Sequence, residues 1–149
     1  MSLDKSLLES LNVDEALLVL RPVEVNQLYW DKVNALAPEL AGFPDLLAGL
    51  WLLADDLDRS HTISQSIDTP TGSYWHAILH RREGDFGNAK YWFHRVGNHP
   101  VIAELGYDPF AFTDDCQLDR GENSPKLVET QRREWKALFD WCLKEAGAE

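Results

Sequence analysis

Apolar residues recur every three to four positions along most of the chain, which predicts α-helices and gives little sign of the two-residue alternation of strands. Two stretches leave more than one interpretation. Residues 14–20 fit either a short helix or an extended apolar run, and the helix that begins near Pro44 either stops at Leu57 or continues through Ile63. The spacing is clearest over residues 2–11, 24–36, 44–57, 73–83, 88–96 and 124–146.

Proline and glycine separate these stretches, as expected at helix starts and ends. Residues 107–123 mix Pro, Gly, Asp and Phe and are predicted to be irregular. We expect an all-α fold, a single helical domain over residues 1–149 with five to seven helices. A helix-turn-helix hairpin over 73–96 stands at its centre, and its core surrounds Trp51, Trp75, Trp135 and the leucines of 46–57.

Charge and composition narrow the classes of function. The 149 residues carry a formal net charge of −11, which argues against nucleic-acid binding because phosphates repel such a surface. No apolar run approaches the roughly 20 residues of a membrane span, and the N-terminus lacks the pattern of a signal peptide, so we expect a cytoplasmic protein. Cys116 and Cys142 are far apart and predict free thiols.

The segment Tyr74–Pro100 differs from the rest of the chain. It holds His76, His80, His94 and His99, and its four basic residues outnumber its two acidic ones. A basic, histidine-rich and aromatic segment within an acidic protein is the place where we expect a functional site.

Histidine spacing in this segment fits a metal site. On one helix, His76, His80 and Glu83 fall on a common face, and imidazole and carboxylate both bind zinc, iron or manganese. His61, from the preceding helical stretch, is the candidate fourth ligand, and His80 and Glu83 are the candidate catalytic residues. Two other interpretations stay open: core histidines bonded to neighbouring polar groups, and a metal-free site that uses histidine as acid or base.

Arginine and tryptophan side chains of the same segment could bind a small anionic ligand. Guanidinium groups suit carboxylate or phosphate, which makes Arg81, Arg82 and Arg95 candidates, unless they pair with the surplus carboxylates. Trp75 and Trp92 are the candidate walls of the pocket, although aromatic residues at helical spacing more often pack in a core.

Two resemblances concern this region. Residues 84–93, GDFGNAKYWF, look like the turn and second helix of one tetratricopeptide-type repeat, with Ala89 at the close approach of two helices and Phe93 filling the gap. The strings SHTISQSIDTPTGSYWH (60–76) and HRREGDFGNAKYWFHRVGNHPV (80–101) resemble a family of uncharacterised bacterial and fungal proteins. That resemblance implies no reaction, but it joins His61 and the His76–Glu83 stretch in one signature and so favours their meeting in space.

The leading hypothesis is therefore a small-molecule site, with a divalent metal held by His61, His76, His80 and Glu83 and an anionic ligand oriented by arginine. The alternative is a non-enzymatic module that presents the 73–96 hairpin to a partner protein, since Arg and Trp are frequent in interface hot spots. A homodimer seam on helix 24–36 or 124–146 is compatible with either hypothesis.

Overall fold

A computed structural model describes residues 6–148, without the side chain of Leu8. Within that range the chain forms nine α-helices and two short 3-10 helices, and no strand. The all-α prediction is confirmed, whereas five to seven helices was too few. The α-helices are α1 (Ser6–Leu11), α2 (Gln27–Leu36), α3 (Pro44–Leu53), α4 (Leu57–Ser64), α5 (Pro70–Glu83), α6 (Phe86–Val96), α7 (Pro100–Leu105), α8 (Pro109–Asp119) and α9 (Pro125–Glu145), and the 3-10 helices are Val13–Glu15 and Ala37–Leu40.

Helix α5, which carries the candidate site, begins earlier than predicted. The predicted stretch begins at residue 73, but the helix begins at Pro70, and the Thr69 hydroxyl accepts a hydrogen bond of 3.0 Å from the Gly72 N–H. Proline is favoured at the first helical position because its missing N–H would have no partner there. At the other end Gly84 takes a left-handed conformation, with φ of 86°, and closes α5 before the turn into α6.

Two helices stand where none was predicted. The segment 107–123 contains α8, because Asp108 accepts hydrogen bonds from the N–H groups of Phe110 and Ala111 and Pro109 takes the first position. Beyond the predicted helical stretch 88–96 the chain forms α7, whose first turn is capped by His99. Both helices begin with a capping residue followed by proline. The prediction that 107–123 is irregular was wrong, because most of that segment is α8.

The helix that begins at Pro44 does not continue through Ile63, because α3 ends at Leu53 and a separate helix, α4, begins at Leu57. Asp55 has a left-handed backbone, with φ of 60°, which ends α3, and the Asp56 carboxylate then accepts the Arg59 N–H at 3.1 Å and begins α4. Aspartate tolerates this conformation better than most residues. The reversal packs α4 against both α3 and α5, which brings the α4 side chains to the α5 histidines.

The core forms where predicted, with Trp51, Trp75 and Trp135 all nearly inaccessible to solvent. Trp135 of α9 stacks on Phe139 with ring centroids 4.7 Å apart and donates a hydrogen bond of 2.7 Å to the Gly49 carbonyl. Both cysteines are buried free thiols, as expected. Across residues 6–148 each helix is too short or too polar to cross a lipid bilayer.

Candidate metal site

Three imidazoles meet between α4 and α5. His61 comes from the last turn of α4, and His76 and His80 lie one turn apart on α5. Ring centroids are 4.9 Å apart for His61 and His76, 5.6 Å for His61 and His80, and 4.6 Å for His76 and His80. One ring nitrogen from each residue lies within 4.8 Å of the other two, so a single ion could contact all three.

His61, His76 and His80 form what we call the histidine cluster. Within it, burial favours the neutral form of His76. His76 and His80 are buried, whereas His61 is partly accessible. Burial, followed by the proximity of His80 and His61, lowers the pKa of His76 to about 4. A neutral imidazole has a free lone pair, which is the form that binds metals. The Nδ1 atom of His76 is buried and has no hydrogen-bond partner among the described residues.

Glu83 contacts one histidine of the cluster. Its Oε1 lies 2.5 Å from His80 Nδ1, and its side chain is 38% exposed. Glu83 forms a second group of potential ligands with His80 and Asp85, separate from the three-histidine group. If Nδ1–H of His80 donates to Glu83, Nε2 carries the lone pair, and the Asn88 side-chain amide, 3.3 Å away, is its present neighbour. Glu83 thus lies beside His80, but it is not grouped with His61 and His76, as the predicted set of four ligands requires.

Helix α6 covers one side of the cluster. Trp92 stacks on His76 with ring centroids 4.0 Å apart and planes 13° apart. The Arg95 guanidinium lies 5.1 Å from the centroid of Trp92 and is half exposed. Its carboxylate neighbour is Asp68, at 3.9 Å, on an almost fully exposed side chain. Trp92 therefore lies beside the histidines and Arg95 lies beside Trp92, and both remain candidates for contacts with a ligand.

Trp75, proposed as the other pocket wall, lies instead in the core. It is fully buried, and its ring centroid is 6.4 Å from that of Trp135. An added Cβ at Gly49 would stand 2.6 Å from its Cζ2 atom, which shows how closely α3 packs on this indole. On α5, Trp75 and His76 point in different directions because successive residues are turned by 100°. Its neighbours Trp135 and Gly49 belong to the core.

Arg81 and Arg82 are also buried and paired. Both nitrogens of the Arg81 fork donate to the Glu134 carboxylate, at 3.0 and 2.7 Å. Arg82 donates to the carbonyls of Leu52 and Val19 and to Asp55. The interpretation that these arginines pair with surplus carboxylates fits their positions, and an exposed anion-binding role does not.

Two sets of contacts were not predicted from the sequence: the polar network around Arg81 and Glu134, and the contact between Asn88 and His80. The hydroxyl of Tyr107 donates to Glu134 at 2.6 Å, and Tyr74 contacts Tyr107 at 2.5 Å, so a polar network surrounds the buried ion pair. Asn88 is the other unpredicted neighbour. Its only sequence signal is its place just after the hairpin turn, which brings the start of α6 beside the end of α5.

The remaining two histidines of the segment do not join the cluster. His94 is exposed and packs against Phe110, with centroids 4.8 Å apart. His99 is buried: its Nδ1 accepts the Val101 N–H at 3.2 Å and its Nε2 lies 3.0 Å from the Thr71 hydroxyl. Burial lowers the pKa of His99. Its two nitrogens are both engaged, which fits a structural histidine.

Comparisons with known proteins add no relative: no family model matches the chain, and neither a curated protein nor a solved structure is significantly similar to it. The resemblance to the bacterial and fungal family and to one tetratricopeptide-type hairpin therefore stays a prediction.

Proposed function

We propose that the histidine cluster binds one divalent transition-metal ion, such as zinc, iron or manganese. The observation that carries the proposal is the convergence of His61, His76 and His80, with one nitrogen of each within 4.8 Å of the others. Imidazole is a common ligand of all three metals. Three protein ligands leave a coordination position for water or substrate, which is the arrangement of catalytic sites as opposed to closed structural ones.

Glu83 has a supporting role in this proposal. Metal-binding histidines commonly donate their second ring N–H to a carboxylate, which fixes the tautomer and makes the other nitrogen a better ligand. The contact of 2.5 Å between His80 Nδ1 and Glu83 fits that arrangement. The lone pair available to the metal is then on Nε2 of His80. The metal would replace the Asn88 side-chain amide as the neighbour of this nitrogen.

The chemistry that such a site supports is hydrolysis or hydration of a small anionic molecule by a metal-activated water. A bound divalent metal acts as a Lewis acid and lowers the pKa of its water toward neutrality. Trp92, stacked on His76, supplies an aromatic wall, and Arg95 supplies a half-exposed positive charge next to Trp92. Arg95 would hold the substrate's negative charge while the metal activates the water.

The alternative function, a module that presents the 73–96 hairpin to a partner protein, has one observation in its favour. Tyr91 on α6 is 54% exposed, and His94 and Arg95 on the same helix are exposed as well. Tyrosine and arginine are enriched in interface hot spots. The cytoplasmic location and the homodimer seam on α2 or α9 remain predictions.

The test is metal binding by tag-free protein. We would measure metal content by elemental mass spectrometry, then titrate zinc into metal-free protein by calorimetry. His80→Ala removes a ligand, and His94→Ala, an exposed histidine outside the cluster, is its matched control. We expect near-stoichiometric metal in the parent and the control, and loss of the site in His80→Ala. Glu83→Gln should weaken binding by roughly 10- to 100-fold, as loss of such supporting carboxylates does elsewhere.

A parent protein without bound metal, whose zinc affinity equals that of His80→Ala, would contradict the proposal. The partner module would then be the better hypothesis, and its test is whether Tyr91→Ala abolishes binding to an isolated partner.

A further inference from the structure

A second candidate site lies away from the histidine cluster, in a cleft where the starts of α3, α5 and α7 meet the end of α9. Its volume is about 430 Å³, within the range of pockets that enclose small molecules. Its described lining residues include none of the three cluster histidines. The side chains that matter here are Asp45, Thr71, Asn98, His99, Trp141 and Glu145.

The charge of this cleft is negative and unbalanced. Asp45 and Glu145 both line it, and no lysine or arginine stands among its described lining residues. Asp45 Oδ1 is buried without a hydrogen-bond donor from residues 6–148. Burial, and then the charge of Glu145, raise the pKa of Asp45. The adjacent basic residue, Lys144, is engaged with Asp140 at 2.9 Å.

The helix ends at this cleft act in opposite directions: the starts of α3, α5 and α7 carry partial positive charges, and the end of α9 carries a partial negative charge. Glu145 is the last residue of this 21-residue helix, where the peptide dipoles sum to a partial negative charge. An acidic side chain is unfavourable at that end, whereas a cation is stabilised there. A positive ligand in the cleft would therefore interact favourably with both carboxylates and with the end of α9. The three helix starts oppose it with roughly +0.5 charge each, which the two full carboxylate charges and the α9 end outweigh.

The remaining walls suit an organic rather than a metallic cation. Trp141 offers an aromatic surface, and the His99 ring lies 5.1 Å from it. His99 contributes no positive charge, because burial lowers its pKa and its Nδ1 accepts a backbone N–H. Aromatic faces attract ammonium and guanidinium groups and also pack against hydrocarbon. Thr71 and Asn98 add neutral polar groups to the lining.

From these observations we propose that the cleft binds a small organic cation, carrying an ammonium or guanidinium group, that pairs with Asp45 and Glu145 while its hydrocarbon part packs on Trp141. The proposal is independent of the metal site, since it uses different residues and a ligand of opposite charge to the anion proposed there.

Calorimetry with matched probes tests this. The cationic probes are 4-phenylbutylamine and agmatine, and the neutral control is 4-phenylbutan-1-ol, which has the size and shape of the first amine. The double variant Asp45→Asn/Glu145→Gln removes both charges. Its control, Glu122→Gln/Glu129→Gln, changes the net charge equally at two exposed carboxylates of the chain.

We expect at least one cation to bind the parent and the control variant roughly tenfold or more tightly than the alcohol, and the Asp45/Glu145 variant to lose that preference. Circular dichroism checks that the variant is folded. Trp141→Leu, which leaves both carboxylates in place, gives a second variant should the double variant not fold, and it should weaken 4-phenylbutylamine more than agmatine. Equal binding of amine and alcohol, no binding of either cation, or equal loss in both double variants would overturn the proposal.

Discussion

The imidazole of His76 lies parallel to the indole of Trp92, with ring centroids 4.0 Å apart. The two side chains belong to α5 and α6, so the packing of the hairpin itself shields one face of a candidate metal ligand. Burial also lowers the pKa of His76 to about 4, which leaves this imidazole neutral near pH 7. The packing of the hairpin thus keeps His76 in the neutral form that metal binding would require.

Removing the indole should reverse this effect. In metal-free Trp92→Ala we expect the pKa of His76 to rise toward the value near 6.5 of an exposed imidazole, because water gains access to the ring. An NMR titration of the histidine ring protons measures it. Leu118→Ala, which truncates an apolar side chain on α8 that is 69% exposed, is the control and should leave the titration unchanged. An unaltered His76 titration in Trp92→Ala would show that the stack does not control its protonation.

The buried pair between Arg81 and Glu134 predicts a large loss of stability on neutralising one partner. In Glu134→Gln the Arg81 charge stays buried without its carboxylate, and Tyr107 loses its acceptor oxygen or must share it. Breaking a buried ion pair in this way lowers the free energy of unfolding by about 3–5 kcal/mol. Urea denaturation measures the difference. Lys144→Gln, which breaks an exposed pair with Asp140, should change stability far less, and an equally small effect of Glu134→Gln would contradict the expectation.

Two glycine-to-alanine substitutions should change the free energy of unfolding in opposite directions. A Cβ at Gly49 would stand 2.6 and 2.8 Å from two atoms of the Trp75 ring, which is itself fixed in the core. Gly49→Ala should therefore lower the free energy of unfolding by about 1–3 kcal/mol through overpacking. At Gly87, in α6, a Cβ meets nothing within 4 Å, and Gly87→Ala should raise stability by about 0.5–1 kcal/mol. Thermal and urea denaturation of both variants would show it, and a stabilised Gly49→Ala would mean that Trp75 can move.

Acid should destabilise the protein in part through His99. Burial lowers the pKa of His99, so as the pH falls below about 6.5 the unfolded chain takes up a proton more readily than the folded one. The free energy of unfolding therefore decreases as the pH is lowered below about 6.5. At neutral pH His99 does not reduce stability, because it is neutral in both states. Protonation would also end the acceptance of the Val101 N–H by Nδ1.

His99→Asn isolates this contribution, because asparagine is a good helix cap and does not titrate. Between about pH 7.5 and about pH 5.5, on either side of the ordinary imidazole pKa, we expect the variant to lose less stability than the parent in urea denaturation. His94→Asn makes the same substitution at an exposed histidine and is the control. Equal pH dependence in all three proteins would exclude His99 as a source of acid sensitivity.

Local patterns predicted the all-α class and the common face of His76 and His80, which helical spacing gives. The expectation that His61 lies beside them rested on the resemblance that joins both stretches in one signature. Local patterns did not predict α8, whose start depends on Asp108 and Pro109 within a segment rich in breakers.

The arginines of α5 illustrate what local patterns cannot give. The partner of Arg81 lies 53 residues away on α9, and that of Arg82 lies 27 residues away. No spacing within 73–96 distinguishes a guanidinium that is buried against a distant carboxylate from one that is free to bind a ligand. Only the packing of α5 against α3 and α9 does so, and it leaves Arg95 as the half-exposed member of the predicted three.

Five of the described α-helices, including α5, start at a proline: Pro44, Pro70, Pro100, Pro109 and Pro125. The ring fixes φ and bars proline from a helix interior, so a covalent property of one residue sets where each of these helices originates. An insertion in the connection before Pro70 would shift α5 as a unit and leave His76 and His80 on the same side of it. The loops of this protein can therefore change length over evolution while the order of side chains on each of these helical faces is inherited intact.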